Sequence, residues 1–233
     1  MEINKELDKL CMEHFQDRAY VSDGIFYGSA ANLWNDINPK VLFVLKQPNS
    51  DELLGEDYRE YDFDTCSGEQ VWRELIGRMY GIMNTTEKIF PDYNKAIDNK
   101  TLKETFKHYP FAVINIIKDI GAGTTSTGNL KKYAIENINF LMRQLDILQP
   151  DIIVCCGTGV FDIMNQVITP SIESNGNWLK YNKERNIIFF DTYHPGKPNT
   201  FKTLKEAYEK PLEEYSYFKR NSTNLHFYIK EQY

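Results

Sequence analysis

The sequence predicts an α/β fold, a parallel sheet covered by helices on both sides. Three observations predict it. Four apolar runs of strand length stand out: Lys40–Leu45 (KVLFVL), Phe111–Ile117 (FAVINII), Asp151–Cys156 (DIIVCC) and Asn186–Asp191 (NIIFFD). They are nearly continuous and rich in β-branched and aromatic residues, as strands buried on both faces are. Stretches of helical period lie between them, and strands alternating with helices close as right-handed βαβ units. Proline or glycine marks the boundaries.

In chain order, MEINKELDKLCMEHF alternates charged and apolar residues and reads as an amphipathic helix rather than a signal peptide. Pro39 precedes the first strand and Pro150 the third, where proline ends whatever came before. Gln70–Ile82 has helical period. So does Leu130–Leu148, read as one helix on the spacing of Leu130, Tyr133, Ile138, Leu141, Leu145 and Leu148. Gly157 permits a tight turn from the third strand into a helix over Val160–Val167. Lys202–Phe218 predicts a closing helix that Pro211 kinks or breaks, and Leu225–Ile229 a last short strand. With no repeats, low-complexity tract or Pro/Ser-rich linker, residues 1–233 are expected to form a single domain.

The chain has 233 residues and a formal net charge of −6. That balance weighs against a broad phosphate-binding surface and leaves HPGKPNTFKTLK (194–205) as a local basic segment. No apolar run approaches the ~20 residues that span a bilayer. The four cysteines lack paired spacing, which predicts reduced thiols in a cytoplasmic protein, and a monomer is expected. Cys155 and Cys156, adjacent in a strand, point to opposite faces and cannot chelate one metal together, so neither metal nor cofactor is expected.

In doubly wound sheets ligands bind beyond the carboxyl ends of the strands. Four loops fall there: Lys46–Ser50, Lys118–Asn129, Gly157–Gly159 and Thr192–Asn199. His194, before Pro195-Gly196, can donate a hydrogen bond to a carbonyl or to developing negative charge; it can equally be a histidine tied to a loop. Asn115 sits inside an apolar run, where its amide either reads the edge of a base or ties strand to loop. Lys46, Gln47 and Asn49 bracket Pro48 after the first strand, where a carboxamide can position a water but is a poor general base. The loop GAGTTSTGN is either a phosphate cradle or a linker into the next helix.

Taken in order, these segments resemble the uracil-DNA glycosylase superfamily. VLFVLKQPN (41–49) is similar to a strand followed by Gly-Glu-Ala-Pro-Gly, and INIIKD (114–119) to an Asn-Val-Val-Lys-Cys strand. PDIIVCCGTGVF (150–161) resembles the third strand with its glycine turn, and DTYHPG (191–196) a closing Thr-Tyr-His-Pro-Ser. The resemblance implies a three-layer fold around a short four-stranded parallel sheet and a pocket for a base flipped from DNA. It implies that Asn115 reads the base edge, that His194 hydrogen-bonds the base carbonyl as the glycosidic bond breaks, and that Gln47 holds the water. Phe63 would stack on the base. Lys46, Pro48 and Asn49 would line the pocket, with Gly196, Lys197 and Lys202 along the DNA. Three departures touch catalysis rather than fold: Leu45-Lys46 for Gly-Glu, Asn49 for Gly or Tyr, and Gly196 for Ser. The cluster cysteines of the similar branch are missing, so no iron–sulfur cluster is expected. Hydrolysis of an N-glycosidic bond is the first reading, base or nucleic-acid binding without cleavage the second, and another small-molecule α/β enzyme the third.

Overall fold

The computed structural model describes residues 1–16, 18–48, 57–119, 125–169, 172–174, 176–196 and 200–221. Seven strands hydrogen-bond into one mixed sheet: β1 (Gly24–Ile25), β2 (Val41–Leu45), β3 (Ala112–Asn115), β4 (Ile152–Cys156), β5 (Ile172–Ser174), β6 (Leu179–Asn182) and β7 (Ile187–Thr192), in the order β1-β3-β2-β4-β7-β6-β5. The four runs read from the sequence are the mutually parallel centre, β3-β2-β4-β7. A four-stranded sheet is therefore too small. β1 adds antiparallel to β3, and the β5-β6-β7 meander extends the other edge.

The nine α-helices among the described residues are α1 (Glu2–Phe15), α2 (Phe63–Gly68), α3 (Gln70–Asn84), α4 (Tyr93–Ala96), α5 (Asn99–His108), α6 (Thr127–Glu136), α7 (Ile138–Leu148), α8 (Val160–Ile163) and α9 (Phe201–Asn221). Strand alternation divides the core between them. Val41, Phe43, Leu45, Val113, Val154 and Phe190 face one layer, packed against α3, α5 and α9. Leu42, Val44, Ile114, Ile153 and Phe189 face the other, packed against α1 and α7. Both faces are thus covered, which is why these strands show no polar alternation.

Three helix expectations change. Leu130–Leu148 is two helices, because Asn137 breaks it: its side chain turns back to the Tyr133 carbonyl (2.8 Å) and meets His14 Nε2 (2.7 Å). Amide side chains compete in this way with the helix ladder. Beyond α8, the predicted helix to Val167 continues as a π-turn over Met164–Ile168. Pro211 does not break α9, which runs through it with Pro211 buried; the missing N–H leaves the Ala207 carbonyl without its usual donor. The proposed strand Leu225–Ile229 lies outside the described residues. No described helix is long and apolar enough to cross a membrane.

Candidate functional site

Strand order reverses between β2 and its neighbour β4, so the loops after these two strands face each other across the switch-point crevice. Gly157 makes the approach possible. Its φ is +113°, and a Cβ there would meet His194 Cβ at 3.3 Å and Lys46 Cε at 3.5 Å. Lys46 after β2, Gly157 after β4 and His194 after β7 therefore converge. Gly159 (φ +83°) leaves no room for a side chain against Thr127, which seats the start of α6 beside the same turn.

His194 Nδ1 accepts the Gly196 N–H at 3.0 Å, which places the imidazole proton on Nε2 in the neutral ring. Burial, then the charges of Arg78 and Lys46, hold its pKa down at about 4. At neutral pH His194 is an uncharged donor, suited to a carbonyl or a developing anion. Asn115 ends β3 in register with Leu45. It is 1% exposed, and neither its Nδ2 nor its Oδ1 has a hydrogen-bond partner. Its backbone N–H is used, donating to Asp23 Oδ2 at 2.7 Å.

Gln47 is a clasp. Its Nε2 donates to the Asp119 carbonyl at 3.0 Å, and its Oε1 accepts the Thr125 hydroxyl. Both ends of the carboxamide join the loop after β2 to the loop after β3. Pro48 is buried and Lys46 half-buried. Phe63 begins α2, capped by Asp62, and packs against Phe106 of α5 at 6.0 Å between centroids. Gly196 is buried with its N–H on His194, while Lys202 is exposed on the first turn of α9. Asn49 and Lys197 lie outside the described residues.

Sequence reasoning missed Arg78. It is 3% exposed on α3, and its Nη1 donates to Thr192 Oγ1 (3.0 Å), the Tyr193 carbonyl (3.2 Å) and Cys156 Sγ (3.6 Å). Its Nε and Nη2 have no partner. One turn earlier, Glu74 accepts the Tyr93 hydroxyl at 2.7 Å, and burial pushes its pKa up. An i,i+4 Glu–Arg pair ordinarily marks a solvated helix face, so spacing pointed away from this one. The signal available was an arginine set among Leu75, Ile76, Met79 and Ile82.

A cavity of about 390 Å³ opens at the ends of β4 and β7, bounded by Trp178 and Tyr193 and by the carboxylates of Asp162 and Asp191. Its charge is unsuited to phosphate. A larger one, about 590 Å³, lies between the segment leading into β6 and α9, lined by Trp178, Glu214 and Tyr217. Compared with known proteins, the chain matches no family model and no curated protein.

Proposed function

We propose that this chain recognises a nucleobase at the carboxyl ends of its parallel strands and hydrolyses the N-glycosidic bond of uracil or another damaged base flipped from DNA. The observation that carries the reading is Asn115. A buried carboxamide with both polar atoms unpartnered costs about 1–3 kcal/mol, and its adjacent donor and acceptor match the edge of a base. A base must displace whatever covers that amide. His194 supports the same reading: its neutral Nε2–H can stabilise the electron pair that leaves with the base nitrogen as the bond to C1′ breaks. Water oxygen then adds to C1′, and the proton it loses ends on the departed base, which is released neutral. The uracil-DNA glycosylase-like ancestry of the fold belongs to this proposal, as does DNA as the partner.

One observation favours the second reading, binding without cleavage. Gln47, the residue expected to hold the water, has both ends of its carboxamide committed to loop contacts. The test is incubation of the purified chain with single- and double-stranded oligonucleotides carrying uracil, hypoxanthine or xanthine. Abasic sites that form with the native chain and vanish in His194→Ala and Asn115→Ala are expected. Base or DNA binding without release would replace the first reading with the second. Neither release nor binding would sink both.

A further inference from the structure

We propose that Arg78 is a positioning residue of the site: reaching from α3 to the end of β7, it sets the place and orientation of the His194 ring. Its functional meaning rests on the reading that His194 acts at this site. The segment 192–196 is gripped at successive points. Arg78 Nη1 holds the Thr192 hydroxyl and the Tyr193 carbonyl at 3.0 and 3.2 Å. The same hydroxyl donates to the Cys155 carbonyl at 3.1 Å, locking β7 to β4. From the first turn of α3, Gln70 Nε2 holds the Pro195 carbonyl at 3.2 Å, and the Gly196 N–H closes onto the ring itself at 3.0 Å.

Hydrogen bonding for its own sake does not explain this arginine. Two of its three nitrogens are unpartnered in a buried position, where an apolar side chain of similar volume is commonly as stable or more so. What an apolar residue cannot do is hold a hydroxyl and a carbonyl together, as Nη1 does. The placement also has an electrostatic effect: Arg78 from α3 and Lys46 from the end of β2 add to burial in keeping the imidazole uncharged.

NMR of the intact chain separates the two effects through the His194 ring titration and the Gly196 amide exchange rate. Arg78→Gln is expected to raise the His194 protonation constant about tenfold, one pKa unit, and to accelerate Gly196 exchange about tenfold. Arg78→Lys keeps the charge but ends one bond short of the Nη1 position, so the titration stays near native while Gly196 exchange still accelerates. Lys46→Gln moves the titration alone. A merely structural role would loosen β2 and β4 amides as much as residues 192–196. Uniform loosening of that kind overturns the proposal, as does native Gly196 exchange in Arg78→Lys. If Arg78→Gln does not fold, Arg78→Lys decides. Neither readout uses turnover, so a native chain that releases no base defeats the glycosylase reading and leaves this one standing.

Discussion

Asn4 and Asn115 are both buried at 1% exposure or less, yet only the amide of Asn4 is in use. Asn4 donates to the Ile25 carbonyl at 2.7 Å and accepts the Ile25 N–H at 3.1 Å, pinning α1 to the edge strand β1. Asn115, at the end of β3, makes neither bond. Of the three buried cations, Arg59 and Lys118 are paired with carboxylates and Arg78 is not. Lys118 lies between both oxygens of Asp23 at 2.8 and 2.6 Å, and Asp23 also takes a bond from Gln144. Arg78 bonds only to uncharged groups and leaves two nitrogens unused. At Asn4 and at the Lys118–Asp23 pair the bonds serve the fold. Asn115 and Arg78 lie on the α3 side of the sheet, at its carboxyl ends, where stability alone does not account for their incomplete bonding.

Breaking the completed side gives the largest effect. Asp23→Asn strands the Lys118 charge, whose side chain is 0% exposed, and is expected to cost roughly 3–5 kcal/mol in denaturant unfolding. Adding Lys118→Met should recover most of that loss, because the amide oxygen introduced at position 23 still accepts the Asn115 N–H. A small effect of Asp23→Asn alone would mean that the pair contributes nothing. Next comes the direct contrast. Asn4→Leu should cost about 1–3 kcal/mol, through the Ile25 groups it leaves unpaired, and Asn115→Leu should be neutral or stabilising. Equal losses at the two positions would show that the Asn115 amide is already engaged, removing the main support for base recognition.

Legibility in the sequence follows the same division. The parallel strands were readable because burial on both faces makes them continuous apolar runs. The strands β1, β5 and β6 were not, being two to four residues long and so too short to establish a period. Helices α4 and α5 went unread although Asp92 and Asp98 cap them through Asn94 and Lys95 and through Lys100 and Thr101. The break at Asn137 was invisible because the apolar period continues across it. His194 and Asn115 could be singled out from their places at strand ends. Arg78 could not, since nothing local distinguishes a buried i,i+4 pair from a solvated one.

The acid response tests whether His194 is buried neutral. The unfolded ring titrates near 6.5 and the folded one at about 4. As pH falls the unfolded chain takes up this proton first, so the contribution is complete above about 6.5 and is lost between 6.5 and 4. The thermal midpoint of the native chain should therefore decline more steeply across that window than that of His194→Gln. Parallel curves would mean that the ring is not held neutral.

The smallest effect lies behind Arg78. A cavity of about 10 Å³ is lined by Arg78, Tyr208, Ala207 and Pro211. The Tyr208 hydroxyl there has no partner, and Tyr208 is 1% exposed. The space suits a single water, and its surroundings offer guanidinium donors, a phenol and the Ala207 carbonyl released by Pro211. One ordered water bridging Arg78 to Tyr208 is expected in a high-resolution crystal structure. Tyr208→Phe should then cost about 0.5–1.5 kcal/mol. A dry cavity, with Tyr208→Phe neutral or stabilising, would leave Nε and Nη2 of Arg78 unpartnered. It would then resemble Asn115 more closely still, a group whose placement only the site can explain.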